Sequence, residues 1–98
     1  MALPRLPMDE IRALCRRYGV RELAIFGSAM GEEFRDDSDL DFLVEFEPEI
    51  EVGFLTLARM QRELSEALHR KVDLVTKGGL KPLIQDEIIS SRKVLYAA

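Results

Sequence analysis

The run Asp39-Leu40-Asp41-Phe42-Leu43-Val44-Glu45-Phe46-Glu47 constrains this chain more than any other segment. It opens with strict acid and apolar alternation, is rich in strand formers and stops before Pro48, which together predict a β-strand. Side chains alternate across a strand, so Asp39 and Asp41 share one face while Leu40, Phe42 and Val44 share the other. Leu43 continues the Asp face as an apolar residue. The acids therefore stand at the amino-terminal end, where the sheet opens to water, and the apolar part lies deeper.

A second segment repeats the pattern. Lys71-Val72-Asp73-Leu74-Val75-Thr76 reads as a strand, with Asp73 and Val75 on one face and Val72 and Leu74 on the other. Placing a carboxylate inside an apolar strand is costly without partners, because burial disfavours the charged form. If the two strands are neighbours, the acids converge. Their repulsion is then relieved best by an oxygen-preferring divalent cation, magnesium or manganese. A plainer arrangement fits the same spacing, with Asp39 and Asp41 capping a turn and Asp73 pairing with Lys71 or Arg70.

Around these strands the elements follow from periodicity. Ile11, Leu14, Cys15 and Tyr18 recur at helical spacing between Pro7-Met8-Asp9 and Gly19, predicting a first helix. Glu22 to Phe26 is a short apolar run stopped by Gly27, a buried strand, and a turn or short helix follows from Ser28. Glu47 to Glu51 is an acidic, solvent-facing loop. Phe54, Leu57, Ala58, Gln61, Leu64, Ala67 and Leu68 make one stripe of a long helix, broken only by Gln61 and ending near His69, a helix-end capping position. Gly78-Gly79 ends the Asp73 strand, a helix runs from about Lys81 to Ser91, and Val94 to Tyr96 form an edge strand. The expected class is α/β (α+β), a mixed β-sheet packed by helices.

Composition narrows the partners. Ninety-eight residues of 11.2 kDa suit one domain spanning 1–98, since a chain this short buries only roughly 60 to 68% of its unfolded surface. With 47% hydrophobic and 33% charged residues, disorder is disfavoured. A net charge of −4 and a pI near 5.0 argue against direct nucleic-acid binding, which needs a basic face. Cys15 cannot form an internal disulfide or a thiolate zinc site and falls in a helical apolar rhythm, so it is expected in the core. There is neither a signal-like apolar run at the amino terminus nor a stretch approaching the ~20 apolar residues of a membrane span, so no membrane association and a cytoplasmic location are expected.

Gly27-Ser28 lies between a buried strand and a helix start, where free backbone N–H groups and the helix dipole favour an anion and glycine admits a phosphate. The pair alone better fits an ordinary strand-to-helix turn with Ser28 as N-cap. Taken together, Phe26-Gly27-Ser28, Asp37-Ser38-Asp39-Leu40-Asp41 and Val72-Asp73-Leu74 resemble the nucleotidyltransferase superfamily of DNA polymerase β, most closely its minimal nucleotidyltransferase branch. The likeness runs from about Leu23 to Thr76.

The resemblance implies a single nucleotidyltransferase palm in which Gly27 and Ser28 meet the nucleotide's terminal phosphates. It also implies that Asp39 and Asp41 hold two Mg²⁺ ions, with Asp73 completing the catalytic metal site. Family members often carry an arginine shortly after the Gly-Ser pair, where this chain has Ala29, Met30 and Gly31. Arg35, Lys77 or Lys81 is available to bind or steer the triphosphate in its place. By the same resemblance the reaction is transfer of AMP from ATP to a hydroxyl, a tyrosine of a HEPN-type ribonuclease toxin for which this chain is the antitoxin. Two alternatives stay open. One is a non-catalytic antitoxin that neutralises its partner by contact. The other is a small-molecule nucleotidyltransferase working as a homodimer or other homo-oligomer.

Overall fold

The computed structural model describes residues 6–26, 40–80 and 82–98. Among them the chain forms α1 (Met8–Tyr18), β1 (Val20–Phe26), β2 (Leu40–Phe46), α2 (Phe54–Leu68), β3 (Val72–Thr76), a 3-10 turn (Lys77–Gly79), α3 (Pro82–Ser91) and β4 (Lys93–Ala97). The strands lie in the order β3-β2-β1-β4. Pairing is parallel between β2 and β3 and antiparallel for β1 with both of its neighbours, so the sheet is mixed.

One face of the sheet carries the core. Leu23, Ile25, Leu40, Phe42, Val44, Val72 and Leu74 cluster with Ile11, Leu14 and Cys15 of α1 and with Met60 and Leu64 of α2. These are the positions that period-2 alternation assigns to a single face. Cys15 is fully buried, and that burial pushes its thiol up to about 11. The expectation of a core thiol holds.

Helix α1 stops because Gly19 adopts a left-handed conformation, with φ 69°, and donates its backbone N–H back to Arg16. An added Cβ at this position would lie 2.9 Å from the Ile50 side chain. Glycine thus both ends the helix and seats the β2–α2 loop. That loop is further tied by the Glu47 N–H donating to the Gly19 carbonyl at 2.9 Å.

The stripe expected along α2 needs correction. Phe54 is 82% exposed and Ala58 is also exposed, while the residues that enter the core are Met60 and Leu64, with Leu57 and Leu68 packed beside them. The break at Gln61 is a structural device. Its Oε1 accepts the Leu74 N–H at 2.9 Å, and one turn later Ser65 Oγ accepts the Val72 N–H at 3.1 Å. β3 is an edge strand, and α2 thereby covers donors that would otherwise invite another strand. His69 sits at the α2 C-cap with φ 53°, so its part in ending the helix is played by its backbone.

Candidate active site

The sheet's second face holds the functional candidates. Residues alternating with the core set fall there, namely Glu22, Ala24 and Phe26 on β1, Asp41, Leu43 and Glu45 on β2, and Asp73 and Val75 on β3. Asp41 is the register partner of Asp73 across the parallel β2–β3 pair and of Phe26 across the antiparallel β1–β2 pair. Strand spacing of roughly 4.8 Å sets the two aspartates side by side. Both are half-buried. Beyond them the face turns apolar, with Leu43 2% exposed and Ala24 fully buried.

This is the convergence expected if the strands were neighbours. Two adjacent, half-buried carboxylates beside apolar groups repel each other and favour a shared cation. Among the described residues no group of three His, Cys, Asp or Glu side chains forms a metal cluster. Asp39 lies outside the described residues, as do Gly27, Ser28, Arg35 and Lys81 and the turn expected after Ser28.

Further along the same face the charges pair off. Glu22 and Glu45 are in register on β1 and β2, and each has its own cation. Lys77 Nζ donates to Glu45 Oε1 at 2.8 Å, and Arg92 Nε donates to Glu22 Oε2 at 2.9 Å. The Lys77 hydrogen bond holds the Glu45 carboxyl below its ordinary value despite partial desolvation. Lys77, a candidate replacement for the family arginine, is thus engaged by Glu45. These two cations flank the segment that carries α3, Lys77 in the 3-10 turn before it and Arg92 just after it, and tie that segment to the acidic face. Nothing in the sequence marked them as partners, since the ion pairs join residues 32 and 70 positions apart.

Residues 9–95 match the family model of the nucleotidyltransferase domain. The chain belongs to this family. The nucleotidyltransferase chain is 40% identical over 85 residues to the protein adenylyltransferase MntA of Thermococcus cleftensis, an alignment covering 87% of this chain and 82% of the relative. Two solved structures share the fold. A chain of a toxin–antitoxin crystal structure with AMP-PNP superposes with a TM-score of 0.77 and 21% identity, over 95% of this chain and 75% of that one. A chain from tri-AMPylated Shewanella oneidensis HEPN toxin in complex with its MNT antitoxin superposes with a TM-score of 0.68 and 19% identity, over 93% and 70%. The expected α+β nucleotidyltransferase fold is therefore the observed one, and no helix among the described residues is long and apolar enough to cross a membrane.

Proposed function

We infer that this chain is a protein adenylyltransferase, moving AMP from ATP to a tyrosine of a HEPN-type toxin partner and acting as its antitoxin. The observation that carries this is the in-register pair Asp41 and Asp73 on the second sheet face of a nucleotidyltransferase domain. A relative 40% identical is a protein adenylyltransferase, and the fold is shared with chains from toxin–antitoxin complexes, one with an ATP analogue and one with an AMPylated HEPN toxin.

The donor set fits a hard divalent cation, since two carboxylates on adjacent strands offer oxygen ligands only. Asp41 and Asp73, joined in the motif by Asp39, would hold Mg²⁺ there. Bound Mg²⁺ supplies Lewis-acid stabilisation of charge on the phosphoryl oxygens. In the reaction the tyrosine Oη bonds to the α-phosphorus while the bond from that phosphorus to the bridging oxygen breaks. The electron pair leaves with pyrophosphate. Asp73 accepts the phenolic proton, a role supported by its place beside Asp41 on the adjacent strand. Gly27 and Ser28 bind the terminal phosphates and Arg35 steers them. Residues 1–98 act as one domain in the cytoplasm.

Intact mass spectrometry of a HEPN-type partner, incubated with ATP and Mg²⁺ and either the parent chain or Asp73→Asn, tests this. A mass gain of one or more AMP units with the parent alone is expected. Tight binding without any gain would instead establish the non-catalytic antitoxin, which the missing arginine at Ala29 to Gly31 favours.

A further inference from the structure

The opposite end of β2 carries a second surface. Phe46, Ile50, Val52, Phe54 and Leu57 wall an open cavity of about 450 Å³ between the β2–α2 loop and the start of α2. Phe54 is 82% and Ile50 41% exposed, and the adjoining Leu55 is 79% exposed. Large apolar groups gathered at one spot of a small domain mark an interaction site. The loop is held in shape, because Ile50 packs over Gly19, the Ile50 N–H donates to the Glu47 carbonyl at 3.0 Å, and Glu47 is tied to Gly19. The cavity is therefore present before any partner arrives, which lowers the ordering cost of binding.

The rim has one sign of charge on the loop side. Glu47 lines the cavity and Glu49 and Glu51 are exposed on the same loop, while Lys77, next to the lining residue Thr76, is taken by Glu45 and Arg21 acts on Glu45 from β1. Arg59 and Arg62 lie further along α2, on the side of Leu55. An apolar cleft with an acidic lip complements a segment with an apolar anchor and flanking lysines or arginines.

We propose that this cleft is the docking surface for a basic amphipathic helix of a protein partner, its apolar side chain seated beside Phe54 and its cations over Glu47, Glu49 and Glu51. The cleft lies roughly 17 Å along β2 from Asp41, so docking and chemistry occupy opposite ends of one strand. This deepens the proposed function, on which it rests, by assigning where the protein acceptor is held.

Fluorescence anisotropy with a labelled amphipathic peptide of leucine and lysine, and with its leucine and glutamate counterpart, tests the surface without any transfer reaction. The lysine peptide is expected to bind the parent chain and the glutamate peptide is not. Phe54→Ser should weaken binding about tenfold or more, Phe54→Leu should keep most of it, and Glu47→Gln/Glu49→Gln/Glu51→Gln should flatten its salt dependence. Phe54 is solvent-facing, and an unchanged melting curve for Phe54→Ser identifies its effect as a lost contact. Equal binding of both peptides, or an unaffected Phe54→Ser, overturns the proposal. So does self-association of the parent that Phe54→Ser abolishes, which would assign the cleft to a second copy. Failure of AMP transfer with peptide binding intact would count against the proposed function and leave the docking surface standing.

Discussion

Residue chemistry here is decided by which sheet face a side chain occupies. Cys15 is on the core side, fully buried and with its thiol pushed up to about 11, so the thiolate is scarce at physiological pH. Native protein at pH 8 should resist iodoacetamide, and the same thiol should be alkylated once the chain is unfolded in urea. Glu45 lies on the other face with its carboxyl lowered by Lys77. A carboxyl with a lowered folded value contributes stability that is present above its unfolded value, about 4.3, and lost as pH falls through the folded one. The pair is about one-third exposed on each side, so it is worth only ~0.2–1 kcal/mol. Lys77→Met should therefore be less stable than the parent by that small amount at pH 7, and the difference should shrink in urea titrations as pH falls below the ordinary carboxylate range.

At the scale of elements, two joints hold the sheet to its helices. Gln61 and Ser65 accept the Leu74 and Val72 N–H groups of the edge strand. Gln61→Ala would remove one acceptor and cost about 1 kcal/mol, which for a domain of this size lowers Tm by roughly 4–8 °C in a thermal melt. The second joint is Gly19. Gly19→Ala imposes a left-handed backbone on a residue with a Cβ, costing about 1–2 kcal/mol, and also displaces Ile50 from 2.9 Å. It is expected to destabilise more than Gln61→Ala, and to weaken peptide binding at the cleft as well. Had Gln61 been only a surface polar residue, its replacement would leave Tm unchanged.

Among the described residues, one sheet has the helices α1 and α2 on its core side and Asp41 and Asp73, the proposed site, on the other. Asp41→Asn or Asp73→Asn should therefore abolish AMP transfer while leaving Tm equal to the parent's or slightly higher, since like-charge repulsion is relieved. A fall in Tm of many degrees would show that the pair holds the fold together. Chelation by EDTA should stop transfer and weaken ATP binding in calorimetry without altering the melt.

Strand identity was legible in the sequence because period-2 alternation is local, and it placed Asp41 and Asp73 on acidic faces and Leu40, Phe42, Val72 and Leu74 on apolar ones. Helix ends were legible for the same reason, Gly19 being a local stop. Pairing was not, because register is set between segments distant along the chain. Only the sheet order β3-β2-β1-β4 makes Asp41 and Asp73 neighbours, and only the fold joins Glu45 to Lys77 and Glu22 to Arg92. Likewise on α2 the packing of Met60, Leu64, Leu57 and Leu68 was readable, but the exposure of Phe54 and Ala58 was not. Phe54 and Met60 look alike in composition. The α2 face is chosen by the edge-strand N–H groups that Gln61 and Ser65 must reach, and satisfying those donors turns Met60 inward and leaves Phe54 at the surface.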